Sequence, residues 1–443
     1  MTPDSDESGT TIAPVKVGPI AAIALCGHAL SLTISVLVAR RLGLEQFEAY
    51  AVSASVFLIM VSIAPLGLDK YSVRILPVLL ERTDLSRAYG FCRFGLGAVL
   101  VSGMVIGSGV GLTVWWTGLL DAATTAAVIA GCMALPAGAL AHFGIEVSTA
   151  LGGERRATAV LRLTVPMLAL CIFGVMILMR GDVGAAWAIA AWGIAWMCAI
   201  AILALDIRQL MPAGVWSSTP QFEARAWIPA ALPFLAYRGV LAFLLQSSIL
   251  LLSAMDVAPA AVGAYAVALA ITTPVVALFT ATNRAYGRRL SISLERQDYD
   301  AIYEIRKARL RWLLPMLSLM LVISLFFPYQ LVGMFGFTGS DDAVASLRIL
   351  ALASAFTMTF SLAPTYIKFT RAHSFTLTAA AIAVVVQSVL LIVLAPRLGA
   401  TGAASAHAIA LIGMYGAFAL VAWRDLLRKR SGAKRSLARP PSK

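Results

Sequence analysis

Twelve windows of about 20 residues, each nearly free of charge, run the length of this chain, and nothing else in it constrains the fold as strongly. They fall at 17–39, 50–68, 94–116, 123–146, 159–179, 184–205, 228–254, 261–282, 312–333, 344–367, 374–395 and 402–423. Hydrophobic residues make up 60% of the sequence and charged residues 13%, which is more apolar surface than a water-soluble core of this size can hide. Most windows exceed the roughly 10 residues of a barrel strand and rarely alternate with period two, so they are predicted to be membrane-spanning helices.

The charges between the windows predict an orientation. Placing the amino terminus inside puts 29 of the 35 basic residues on the inner side, five outside and one, Arg238, within a span. Positive charge is held back on the cytoplasmic side, so both termini are predicted to be cytoplasmic. The same distribution accounts for a net charge of +13 without a basic domain, and no nucleic-acid partner is expected. Residues 1–16 are polar, lack a positive n-region and are expected to be disordered, with no cleaved signal. The basic tail, 425–443, is also expected to be disordered and to rest on anionic lipid. Five cysteines without a CxxC pair indicate neither a disulfide framework nor a metal site.

The chain repeats itself. "FEAYAVSAS" (47–55) returns as "VGAYAVALA" (262–270), and "KYSVRIL" (70–76) faces "AYGRRLS" (285–291). Tyr50 thus matches Tyr265, Tyr71 matches Tyr286 and Arg74 matches Arg289, all at an offset of 215 residues. "GDVGAAWAIA" (181–190) matches "GATGAASAHA" (399–408), aligning Gly181 with Gly399 and Gly184 with Gly402. Each half holds six predicted spans, an even number, so the second copy enters in the same orientation as the first. The expected fold is therefore an all-α polytopic membrane protein of about 12 transmembrane helices, in two parallel-repeat six-helix bundles around a central cleft. The bundles are expected at 17–210 and 228–424, joined by a cytoplasmic linker at 211–227. Halves arranged in this way suit alternating access around a shared site.

At these landmarks the sequence resembles a family. "RRLGLEQFEAYAV" (40–52) followed by "LGLDKYSVRILP" (66–77) is similar to the first two spans of polysaccharide flippases in the multidrug/oligosaccharidyl-lipid/polysaccharide exporter superfamily. "VGAYAV" (262–267), "RRLS" (288–291), "YQLVGMFG" (329–336) and "ASLRILALASAF" (345–356) resemble the second half of such proteins. Glu48 stands where the family usually has glycine, and Gln246 where many members carry an acid. The resemblance implies translocation of an undecaprenyl-pyrophosphate-linked oligosaccharide from the inner to the outer leaflet of a bacterial inner membrane during surface polysaccharide biosynthesis. Membrane lipids, a polysaccharide polymerase and chain-length machinery are the partners it implies.

Charge inside a bilayer is costly and marks candidate function. Arg238, in "PFLAYRGVLAF", stands out as the deep charge, placed to clamp a pyrophosphate or sugar acid; the alternative is a bond to a helix carbonyl or a reach toward headgroups. Lys70, Arg74, Arg284, Arg288 and Arg289 end the second and eighth spans and read either as an electropositive mouth for a diphosphate or as ordinary inner-side charge. His142 and Glu146 are four residues apart on one helix face, a spacing suited to proton coupling, although Glu146 also suits a headgroup boundary; His28 and His407 are lesser candidates. The stretch 293–312 is expected to be an amphipathic connector on the inner surface.

No GxSxG or phosphate-cradling glycine loop is found, and the outer loops are short, the longest reaching only from about Met334 to Ala343 and the first offering just Glu45 and Glu48, so a polymerase, ligase or other enzyme is disfavoured and no cofactor is expected. The nearer rival is a cation-coupled multidrug exporter of the same superfamily, which would need buried acids where Arg238 is the visible deep charge.

Overall fold

The computed structural model describes residues 18–181, 183–255, 258–370 and 373–437; several side chains within this range, 274–285 and 287–288 among them, are outside the description. Residues 1–16, expected to be disordered, also lie outside it.

Ten helices among the described residues are long and apolar enough to cross a membrane; with the last of them broken in two, and with Pro259–Glu295, whose apolar part is shorter, they supply twelve segments. The first six are Leu25–Gly43, Gln46–Glu81, Leu85–Thr117, Ala122–Ala150, Glu154–Arg180 and Ala185–Leu210. The second half contributes Ala224–Ala254, Pro259–Glu295, Tyr299–Phe326, Asp341–Thr359 and the long helix His373–Leu437. That last helix breaks at Gly399 (φ 51) and so supplies the eleventh and twelfth spans. The protein is thus a multi-pass, all-helical membrane protein of two six-helix bundles about a central cleft.

Local chemistry sets the boundaries. The Asp121 carboxylate accepts from the amides of Ala123 (2.9 Å) and Thr124 (3.1 Å) at the start of the fourth span, and Asp298 and Ser340 cap the ninth and tenth in the same way. Gly118, at φ 60, ends the third span in the left-handed region. Gly181 and Gly399, aligned by the repeat, both have positive φ (73 and 51) at the turn between the last two spans of their halves. The sequence match at this landmark therefore corresponds to a shared backbone requirement. Along the third span Val101, Val105 and Leu112 are exposed, as a lipid-facing surface requires.

Four expectations are corrected. The second span does not stop at residue 68: the chain bends at Leu66 (φ 55) and Gly67 (φ 74), then continues as helix from Leu68 to Glu81. The stretch 293–312 is not a separate surface helix, because the eighth span runs to Glu295 and Asp298 caps the ninth, which starts at Tyr299. The basic tail is helical as far as Leu437, where Lys429 and Asp425 pair at 2.9 Å and Arg430 reaches Asp300 at 2.6 Å. Lys and Arg are good helix formers, so the twelfth span propagates beyond its apolar part. The seventh span likewise begins at Ala224, inside the expected linker, because Trp227 is buried edge-on against Phe91 (centroids 5.3 Å apart).

The halves meet differently at the two ends of the bundle. At the end bearing residues 40–47 and 327–343, one apolar cluster draws on both halves, and Phe47 packs against Phe335 (6.2 Å) and Phe337 (6.0 Å). Arg40 Nε donates to the Met334 carbonyl at 2.6 Å across this junction. Toward the opposite, basic end the contact between halves is charged, and it forms the candidate site.

Candidate functional site

The bend at Leu66–Gly67 determines what the second span presents. Gly67 lies so close to the seventh span that a Cβ there would sit 2.4 Å from the Ala231 carbonyl oxygen and 2.7 Å from the Leu235 nitrogen. This approach carries Asp69, two residues on and wholly buried, to Arg238 of the seventh span. Arg238 Nη1 donates to Asp69 Oδ2, while Asp69 Oδ1 has no partner. Arg238 lies 14 residues into its helix, about 21 Å along it at 1.5 Å per residue. It is therefore deep in the bundle, as its position in the sequence implied, and its partner comes from the other half.

Lys70, the next residue, pairs with Glu146 of the fourth span; their side chains are 35% and 12% exposed. Glu146 therefore meets a lysine, while the ring of His142, one turn earlier, packs against Trp196 with centroids 5.2 Å apart. Arg162 joins the group from the fifth span, its Nη1 lying 2.9 Å from His28 Nε2. A π-helical stretch, Val160–Thr164, positions it, its one extra residue per turn shifting the side chain's direction. Gly27 faces this stretch so closely that a Cβ would overlap the Arg162 carbonyl. From the second half Lys368 lies over the ring of Tyr237, 4.0 Å from its centroid, within electrostatic reach of Lys70.

The structure thus gathers Arg238, Lys70, Glu146, His142 and His28 from the candidates and adds Asp69, Arg162 and Lys368. Arg74 is exposed one turn beyond Lys70, and Arg289 is half-buried. The Arg284 and Arg288 side chains lie outside the described residues. The expectation of a single deep charge is corrected, because Asp69 is fully buried and Arg309 is 2% exposed. Both lie just outside the apolar windows 50–68 and 312–333, beside the charged residues Lys70 and Arg311. In Asp69 the signal was an acid two residues after a Pro-Leu-Gly break, "PLGLD", where a bending helix turns a nominal end inward.

Among the described residues of this group, four cations (Lys70, Arg162, Arg238 and Lys368) accompany two acids (Asp69 and Glu146), an excess of positive charge in a partly desolvated space. Guanidinium and ammonium donors arranged in this way favour an anionic group with several acceptor oxygens. No group of three or more His, Cys, Asp or Glu suited to a metal ion occurs among the described residues.

No protein-family profile matches the sequence, and no curated protein matches it. Solved structures do match. An inward-facing multidrug resistance MATE family transporter of the MOP superfamily aligns with a TM-score of 0.72 at 14% identity, over 94% of this chain and 99% of that one. A MOP superfamily transporter from Pyrococcus furiosus, described by a reverse polarity of its binding pocket, aligns at 0.64 and 12% identity, over 94% of this chain and 96% of that one. A variant of the Vibrio cholerae MATE transporter VcmN aligns at 0.62 and 16%, over 93% and 96%. At these identities the likeness is one of fold, and the structural neighbours are transporters.

Proposed function

We propose that the protein is a flippase that moves an undecaprenyl-pyrophosphate-linked oligosaccharide from the inner to the outer leaflet of a bacterial inner membrane by alternating access. The observation that carries this reading is the gathering of Arg238, Lys70 and Lys368 where the two halves meet, with Arg238 held by Asp69, Lys70 by Glu146, and Lys368 lying over the Tyr237 ring. A diphosphate has the charge and the oxygens to engage Arg238, Lys70 and Lys368 together, and Arg238 can bind it bidentately. The basic end faces the cytoplasm in this reading, with both termini on that side, and the apolar junction closes the opposite end. Binding of the headgroup would compete with Asp69 for Arg238 and free the halves to rock.

A second reading has its own support: Asp69 and Glu146 are buried acids in the first half, as a cation-coupled multidrug exporter would need, and two of the structures named above are MATE transporters. The two readings separate in proteoliposomes. Flipping of a fluorescent undecaprenyl-diphosphate oligosaccharide by the wild type, lost in Arg238→Ala and partly restored in Arg238→Lys at matched insertion, is the expected result. Absence of flipping with several glycans, together with ion-gradient-driven uptake of a cationic dye, would replace the flippase by the exporter.

A further inference from the structure

The second half contains a cavity that the central cleft does not use. It lies between the eighth, ninth, tenth and twelfth spans, measures about 460 Å3, and has largely apolar walls, including Leu290, Ile302, Phe356, Leu362 and Leu420. Arg309 lines it as well, from a position only 2% exposed. Its Nη2 donates to Ser361 Oγ, but its Nε has no hydrogen-bond partner, and no acid among the described residues pairs with it. A guanidinium buried among aliphatic and aromatic side chains is strongly unfavourable unless an anion joins it.

The approach to the cavity is basic. A neighbouring groove of about 400 Å3 shares Arg306, Leu310 and Trp423 with it and adds Lys307 and Arg311. Arg306 stacks on the Trp423 ring, 4.6 Å from its centroid. The nearby acid, Asp425, is already engaged by the Tyr366 hydroxyl at 2.8 Å and by Lys429 at 2.9 Å. Leu420 is 58% exposed, so the cavity's rim reaches the lipid-facing surface.

We propose that this cavity binds an anionic phospholipid of the surrounding bilayer, with the lipid phosphate accepting hydrogen bonds from Arg309 and an acyl chain lying along the apolar walls past Leu420. Both halves of such a ligand meet their complement. Inorganic phosphate would leave the apolar walls unfilled, and a zwitterionic lipid would bring its own cation against Arg306, Lys307 and Arg311. The site is separate from the central charge cluster and does not depend on which cargo is carried.

The test is native mass spectrometry of the full-length protein in detergent, titrated with phosphatidylglycerol, phosphatidylcholine or inorganic phosphate. One phosphatidylglycerol should remain bound per chain, about tenfold more tightly than phosphatidylcholine, and millimolar inorganic phosphate should not displace it. Arg309→Met should abolish that preference and raise the Tm of the delipidated protein, because the uncompensated charge is gone. Ala419→Phe, which fills the cavity and keeps Arg309, should also lose the lipid. Equal retention of the two lipids by the wild type overturns the proposal, as does unchanged phosphatidylglycerol binding in either folded variant. Displacement by inorganic phosphate overturns it too, reducing the site to one for a free anion.

Discussion

The two halves share a backbone plan and differ in charge. In the first half each buried acid has a cation: Glu146 has Lys70, and Asp206, 8% exposed, takes Arg156 at 2.9 Å and the Ser148 hydroxyl at 2.5 Å. The exception, Asp69, is matched by Arg238 from across the cleft. The second half buries cations without acids, Arg309 beside Ser361 and Lys368 over Tyr237, and its deepest polar network is neutral. There Gln387 donates to the Leu244 carbonyl at 2.9 Å and meets His407 at 3.1 Å. A duplicated bundle can therefore keep its turns and packing while one copy carries both acids and cations and the other contributes cations alone, and the cleft is where the difference is expressed.

The comparison is most exposed to failure at Asp69–Arg238. Arg238→Ala leaves a fully buried carboxylate alone and should lower stability by about 3–5 kcal/mol, whereas Asp69→Asn, which leaves a guanidinium that is 21% exposed, should cost less. Thermal unfolding of both single variants and the double variant reads this as a coupling energy; additive losses would mean that the halves are not joined here. Within the first half, Asp206→Ala should cost about 2–3 kcal/mol by stranding the buried Ser148 hydroxyl and removing the acid that Arg156 meets. Arg156, 64% exposed, should lose under about 1 kcal/mol on change to Ala, and a larger loss would show the pair to be less solvated than its exposure implies.

The repeat itself is tested at its glycines. Gly181→Ala and Gly399→Ala should each cost about 1–3 kcal/mol, because both sit at positive φ in backbone regions that L side chains rarely adopt, without a steric clash at Cβ. A negligible cost at either would confine the kinship of the halves to sequence. The smallest effect is expected at Lys368→Met, where loss of a half-buried cation that faces Lys70 should change Tm little or raise it. A drop of several degrees would reveal an acid partner in the second half and erase the contrast.

Much of this was legible in the sequence, because span length and repeat spacing depend on bilayer thickness and chain geometry rather than on particular contacts. Arg238 was visible as a mid-span charge. Its partner was not, since Asp69 follows a Pro-Leu-Gly bend and precedes Lys70, a pattern that reads as the end of a span until the helix is seen to resume. Arg309 was hidden among Arg306, Lys307 and Arg311, because a charge count assigns residues to a side of the membrane but not to the face of a helix. Arg162 depended on a π-helical turn that no local propensity announces.

The junction between Arg40 and the Met334 carbonyl has a further consequence. Its acceptor is main-chain and uncharged, and the neighbouring contacts are between phenylalanine rings, so mobile ions have little to screen at that end. At the opposite end the Asp69–Arg238 contact is buried and screened little, whereas the partly exposed Lys70 attracts anions over a distance that shrinks with the Debye length, from about 10 Å at 0.1 M salt to about 3 Å at 1 M. Ionic strength should therefore act as a one-sided lever, weakening the approach of an anion to the basic end while leaving the aromatic end unaffected.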